Sequence, residues 1–365
     1  MANSSDIPLY QVSWLGHRAP TSAREIAVSA DCRLRDAVRA INIGPAHVAL
    51  VIAGDGRLLG TLTDGDVRRG LLEDLELDSP AIDAMPKTFQ SLHVSATAHD
   101  ALVLMRSHHL HQVPVVDDRG RISGIYVLDE NHAHGNLGNT VVIMAGGEGL
   151  RLRPLTKETP KALLPVGDRP MLEIIIRQCA EAGLREFVIS VNYLKNQIKE
   201  FVGDGSKFGV HVSYIEESNP TGTAGSLSLL SDLGTDPFIV INGDVLTRIN
   251  FRHLLSSHTE LEADATVCAR RHETPVPFGI LHTDGLEIVG IDEKPMLSHL
   301  VNAGIYVLQP SMIDLIPLNA YLDMTDLLKI ALSTGRRINA FPLHEYWLDI
   351  GRPENLQQAG VEWID

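Results

Sequence analysis

Residues 140–167 read TVVIMAGGEGLRLRPLTKETPKALLPVG, and the residue types suit a polyphosphate. Gly146, Gly147 and Gly149 let a backbone approach a ligand closely and turn its N–H groups towards it. Arg151, Arg153, Lys157 and Lys161 bring positive charge within a few residues. The apolar run over residues 141–144 reads as a parallel strand covered on both faces, so a turn must begin at the glycines. Pro154, Pro160 and Pro165 discourage a helix, and the basic segment is expected to be an extended arm able to fold back over phosphates. A nucleoside triphosphate fits this combination. A Rossmann fingerprint would need glycine where Leu152 stands, and a Walker loop needs a lysine followed by Ser or Thr, which is absent.

The stretch resembles the opening motif of sugar-1-phosphate nucleotidyltransferases, GGxGxRLxPLT followed by PK and a second proline. Leu150 stands where Thr is usual and Ala162 where Pro is common; neither departure removes a charge. The bland alternative is a glycine turn beside a solvated basic face. The resemblance runs on towards the C-terminus. PFIVINGD ends in Asp244 and EYWLDIGRPE carries Asp349, and both resemble the family's Mg2+ ligands. Magnesium takes one or two carboxylates and completes its octahedron with water and phosphate oxygens; an Asp at a strand end is otherwise often a helix cap. NPTGTAGSL resembles the base-contacting loop through Gly222, Thr223 and Ala224, with Thr221 where Leu is usual. Glu217, just ahead, is read as facing the base edge, accepting from guanine N1–H and N2–H where uracil would present a carbonyl oxygen. An exposed glutamate at a strand end is the alternative. VPFGI, DEKP and VNAGIY resemble the sugar-phosphate pocket and supply Gly279, Glu293 and Asn302 for the sugar and Lys294 for its phosphate, unless Glu293 and Lys294 form only a surface ion pair.

What the resemblance implies is a Rossmann-like, GT-A-like α/β domain with a mixed sheet, transferring a nucleoside monophosphate from an NTP to a sugar 1-phosphate with release of pyrophosphate. Ala145, Gly146, Gly147 and Gly149 would cradle the nucleotide, while Arg151, Lys161 and Lys294 would neutralise charge. The C-terminal run is most similar to mannose-1-phosphate guanylyltransferases. Members fused to a regulatory module resemble glucosamine-1-phosphate guanylyltransferases of bacterial surface-glycan and nonulosonic acid synthesis. GTP is therefore the favoured donor. A uridylyl- or thymidylyltransferase acting on a hexose 1-phosphate, and a silent nucleotide-sensing subunit, are the alternatives.

Elements must hold these residues in place. Met171, Leu172, Ile175, Ile176 and Cys179 recur at helical spacing up to Gly183, and EFVISVN follows as a strand, giving a βαβ unit. Further apolar strands at residues 210–215, 238–241, 265–269 and 304–307 continue an α/β pattern, in which ligands gather at strand carboxyl ends. Ahead of it, sliding the chain by 64 positions aligns Asp36-Ala37 with Asp100-Ala101, Val51 with Val115, and Gly56-Arg57 with Gly120-Arg121. This duplicated α+β unit resembles a CBS-domain pair, which commonly binds adenine nucleotides. In the first copy Thr63 would contact phosphate and Asp66 ribose, binding a purine nucleotide effector, or else Thr63 simply caps the next helix. In the second copy Val127 and Glu130 replace them. His108, His109 and His111 are expected to flank a strand, and His132 and His134 lie in the glycine- and asparagine-containing linker. The expected division is an arm over 1–19, the CBS pair over 20–132, a linker over 133–139 and the catalytic domain over 140–365.

At 365 residues the chain can bury two cores. Its net charge of −15 argues against a broad nucleic-acid or anionic-membrane surface. Three scattered cysteines suggest neither a disulfide framework nor a CxxC metal site, and no signal-peptide core or membrane-length apolar run is present. A cytoplasmic homo-oligomer is expected.

Overall fold

The computed structural model describes residues 9–13, 26–43, 46–108, 110–128, 136–217, 219–230 and 233–363, and the chain divides into two units, Met1–Gly135 and Asn136–Asp365. The first contains β1 (Leu9–Ser13), β2 (Ala27–Ser29), α1 (Leu34–Ile43), β3 (Val48–Ile52), β4 (Leu58–Thr63), α2 (Asp64–Leu72), β5 (Leu92–His93), α3 (Ala98–His108), β6 (Gln112–Val116) and β7 (Ile122–Leu128). The repeat is visible in the pairing. β3 runs parallel to β2 and antiparallel to β4, and β6 runs parallel to β5 and antiparallel to β7. Ala37 and Ala101 occupy the same buried place on α1 and α3, as Val51 and Val115 do on β3 and β6. β1 pairs antiparallel with β7, so the expected arm contributes a strand to the second repeat.

Thr63 and Asp66 carry a structural load. Thr63 caps α2, Asp66 N donates to its Oγ1 (3.3 Å), and Thr63 N and Oγ1 both donate to Asp66 Oδ2 (2.8 and 2.6 Å). Arg69 holds the other oxygen, and Asp66 is buried. The capping alternative thus accounts for both residues, and a nucleotide would have to displace Arg69 to reach Asp66. His108 shares a hydrogen bond with Ser107 Oγ (2.9 Å), and no trio of metal-ligating side chains gathers at His108 or His111 among the described residues. His109, Glu130, His132 and His134 lie outside the described residues.

The second unit continues with β8 (Leu137–Met144), a hairpin of β9 (Pro165–Val166) and β10 (Arg169–Pro170), α4 (Met171–Glu181), β11 (Leu184–Val191), α5 (Lys195–Val202), β12 (His211–Glu216), α6 (Gly222–Gly225), β13 (Phe238–Asn242) and β14 (Val245–Thr247). Then come α7 (Phe251–Glu260), β15 (Ala265–Pro275), β16 (Ile280–Asp284), β17 (Glu287–Asp292), β18 (Met296–Leu308), α8 (Met324–Ser333), β19 (Ile338–Leu343), β20 (Trp347–Asp349) and α9 (Pro353–Glu362). β8 starts inside the expected linker, because Leu137 already pairs with Leu184.

One seven-stranded mixed sheet, in the order β12-β11-β8-β13-β18-β15-β19, organises this unit. β18 alone runs against its neighbours β13 and β15. Successive residues of β8 enter different cores: Val141 and Ile143 pack with Leu172, Ile175 and Leu254 of α4 and α7, whereas Val142 packs with Leu227, Leu327 and Ala331 on the other face. Burial on both faces is why the strand reads as an unbroken apolar run. The chain leaves β8 first for β11 and β12 on one side and later reaches β13 on the other. That reversal opens a crevice at the carboxyl ends of β8 and β13. No helix among the described residues is long and apolar enough to cross a membrane.

Candidate active site at the carboxyl edge of the sheet

A cleft of about 740 Å³ sits at this crevice, lined by the glycine loop over residues 145–149, by Arg151 and Lys161, by Glu217, Gly222 and Thr223, and by Asn242 and Asp244. The glycine loop is pinned from behind. Ala145 N donates to Ser190 O (2.9 Å), and the buried Thr156 donates its hydroxyl to Gly149 O (2.8 Å). Gly149 has a left-handed backbone, and a Cβ there would stand 3.0 Å from Thr156 Cγ2, so only glycine makes this turn without strain. The prolines do suppress an α-helix after the loop. The basic segment is nevertheless not extended: it coils through three 3-10 turns, tied down by Tyr193 Oη to Lys157 O and Gln197 Nε2 to Glu158 O, both 2.9 Å. Short turns suit a chain interrupted by proline every few residues.

Charged side chains converge where the sequence separates them widely. Lys161 Nζ contacts Asp244 Oδ2, and both are largely buried. Asp349 arrives on β20, which pairs with β14 so that Asp349 lies opposite Val245, and Ile350 N donates to Asp244 O (2.9 Å). Partial burial and then the Asp244 carboxylate push the Asp349 carboxyl up, while Lys161 and Arg151 pull it down. The Arg151 guanidinium lies against Gly351, where a Cβ would come within 3.3 Å of it. A carboxyl pushed up beside a second carboxylate forms a hard-oxygen site that a divalent cation would stabilise. The adjacent Asn242 Oδ1, buried and without a hydrogen-bond donor, adds a third oxygen on the same edge. The donor set therefore fits magnesium.

The sheet order fixes a polarity along the cleft. Arg151, Lys161 and Asp244 follow β8 and β13, whereas the Gly222 turn follows β12, two strands from β8 and so about 10 Å along the edge. The first end carries Arg151 and Lys161, the two cations among the residues lining the cleft. Glu217 lines the cleft between the two ends, but its carboxylate is occupied by protein: Oε1 accepts from Ser190 Oγ (2.7 Å), and Oε2 from Thr221 N (2.9 Å) and Thr221 Oγ1 (2.7 Å). It ties the base loop to β11. Reading a base edge would be a second task for the same two oxygens. The threonine that replaces leucine at 221 supplies one of these bonds.

The sugar-pocket residues stand apart from the cleft lining. β15 and β18 run on past the carboxyl end of β13; Asn302 sits on β18, and Gly279, Glu293 and Lys294 flank the exposed β16–β17 hairpin between these two strands. Asn302 Oδ1 accepts from Gly304 N (3.0 Å). Gly279 adjoins Glu293, which pairs with Lys294 at 3.7 Å, the two side chains being 73% and 69% exposed. The surface ion pair is thus what the fold presents, on the same edge as the cleft but outside it. Sequence reasoning missed Asn242, although it stands two residues before Asp244 in the quoted strand. It also missed Tyr321 and Asp323, which line the cleft from a segment with no motif of its own.

Residues 140–364 match the family model described as Nucleotidyl transferase, and residues 21–73 and 81–130 each match the CBS domain. The mannose-1-phosphate guanyltransferase of Yarrowia lipolytica is 35% identical over 225 residues, covering 59% of this chain and 61% of that protein. The Saccharomyces cerevisiae mannose-1-phosphate guanyltransferase is 33% identical, covering 61% and 64%. The chain thus spans less than two thirds of the length of these relatives. Among solved structures, HddC from Yersinia pseudotuberculosis aligns with a TM-score of 0.50 and 25% identity, over 61% of this chain and 99% of that one.

Proposed function

We propose that this chain, which belongs to the nucleotidyl transferase family and carries a CBS-domain pair ahead of it, joins a nucleoside monophosphate to a sugar 1-phosphate. GTP is the favoured donor, and a mannose- or glucosamine-1-phosphate the favoured acceptor. An acceptor phosphate oxygen attacks the α-phosphorus, the bond to the bridging α–β oxygen breaks, and pyrophosphate leaves. The observation that carries the reading is the convergence of the glycine loop, Arg151, Lys161 and Asp244 on one crevice of the sheet.

The attacking phosphate is already ionised, so no protein base is needed, and the barrier is repulsion between two polyanions plus their alignment. Arg151 and Lys161 steady the β- and γ-phosphates as charge builds on the leaving group. Lys294 meets the acceptor phosphate from the segment between β17 and β18. Asp244 and Asp349 would hold magnesium, which when bound supplies Lewis-acid charge to phosphate oxygens. The preference for GTP is supported by relatives named as guanyltransferases. Pyrophosphate release from a panel of GTP, UTP, dTTP and ATP with several hexose 1-phosphates tests the reading. Release with GTP and a mannose- or glucosamine-type acceptor is the expected result; release with no pair would overturn it, and equal kcat/KM for GTP and UTP would overturn the donor preference.

A further inference from the structure

The Gly222 end of the cleft is closed by residues 319–323, NAYLD, which belong to none of the motifs above. This segment holds the Gly222 turn from outside. Leu322 N donates to Thr221 O (2.9 Å), and Ala224 N and Gly225 N donate to Leu322 O (2.9 and 3.0 Å). A Cβ on Gly222 would stand 2.6 Å from that same carbonyl, so the two backbones touch. Asp323 occupies the N-cap of α8 without capping it. Its carboxylate accepts from Thr223 N (3.2 Å), Thr223 Oγ1 (3.4 Å) and the Tyr321 hydroxyl (3.1 Å), while Met324 N donates to Thr223 Oγ1 (2.8 Å).

Tyr321 is thereby tethered by its hydroxyl to a carboxylate fixed on the base loop. Its side chain lines the cleft, yet the residue is 66% exposed, so packing of the core does not explain an aromatic here. A flat apolar face, held at its tip and open to a cleft whose other end is cationic, suits a ligand with a π-face at one end and phosphates at the other. We propose that Tyr321 is a binding residue on whose ring the nucleobase of the triphosphate stacks. This rests on assigning the cleft to a nucleoside triphosphate. Stacking discriminates little between bases, because each has a π-face; the aromatic wall would supply affinity and leave base choice to other groups.

The test compares two probes on the full chain with magnesium present: GTP, and inorganic tripolyphosphate, which has the anionic end and no base. Base–aromatic stacking contributes roughly 1–3 kcal/mol, so Tyr321→Ala should weaken GTP binding by about tenfold or more. Tripolyphosphate binding should not change. Tyr321→Phe keeps the ring and should retain most of the GTP affinity. Undiminished GTP binding by Tyr321→Ala would overturn the inference, as would an equal loss for both probes, the mark of a segment that merely supports the loop. A loss confined to the KM of the sugar phosphate would overturn it as well. Failure of the underlying reading is distinguishable, since it appears in the unsubstituted chain as no pyrophosphate release from any substrate pair.

Discussion

Lys161 and Asp244 belong to opposite partners of the proposed complex, the lysine to phosphates and the aspartate to a cation, yet here they touch. Each holds the other in place in the crevice. Lys161→Met, Asp244→Asn and Asp349→Asn are each expected to lower turnover at least ~100-fold, the loss typical of one preorganised charge stabiliser. Pyrophosphate release measures this, with an unfolding curve to show that the variant remains folded. A near-normal rate in either aspartate variant would exclude that residue from the reaction. The residue types were legible: the glycine turn and the cations Arg151 and Lys161 that follow it in sequence do line one cleft. Tyr321 and Asp323 were not, because their significance depends on a segment folding back onto a loop about a hundred residues earlier, a long-range contact that local pattern cannot encode. For Glu217 the sequence named a residue that lines the cleft, but its partners Ser190 and Thr221 were invisible for the same reason.

Elements place these side chains, and two helices offer separate tests. In α2, Thr63 and Asp66 form a reciprocal capping box, so Thr63→Ala should lower the stability of the first unit by about 1 kcal/mol, read from chemical denaturation. This burden complicates any binding test at Asp66. In α7, His258 is fully buried, sharing a hydrogen bond with Thr266 Oγ1 (2.8 Å) and another with Gln309. Burial pulls its pKa below the ordinary 6.5, outweighing the upward pull of Asp264. The imidazole is neutral when folded and takes up a proton on unfolding. Stability is therefore intact above the ordinary value and falls as pH drops from it towards the lower folded value. The urea midpoint should decline as pH falls below the ordinary 6.5, and His258→Gln should flatten that decline; an unchanged slope would assign the pH dependence elsewhere. The apolar strands β8, β11, β12, β13, β15 and β18 were legible in the second unit, but β16, β17, β19 and β20 were not, and strand length was not. β15 and β18 were expected over residues 265–269 and 304–307 and instead extend into a long arm, because their outer halves carry polar residues that break the apolar pattern.

At the scale of the whole molecule, the two units have cores of their own, one built around Leu50 and Leu62 and the other around the faces of β8. A chain beginning at Asn136, ahead of the Leu137–Leu184 pairing, should still release pyrophosphate at a rate comparable to the full chain, since every cleft residue lies beyond it. Loss of activity in a folded truncation would make the CBS pair part of the catalytic apparatus. The duplication was readable from a fixed period of 64 residues, whereas the point where β8 begins was not, because Leu137, Gly138 and Asn139 look like linker until Leu184 is set beside them. The short β14–β20 ladder brings Asp349 beside Asp244, although the ribosome makes the two about 100 residues apart, an interval of roughly 5–20 s at ordinary elongation rates. During that interval the nascent chain already contains the glycine loop, Lys161 and Asp244 but lacks the second carboxylate. On the proposed reading, competence for the reaction arrives with β20 rather than with the glycine loop, and so is timed by translation.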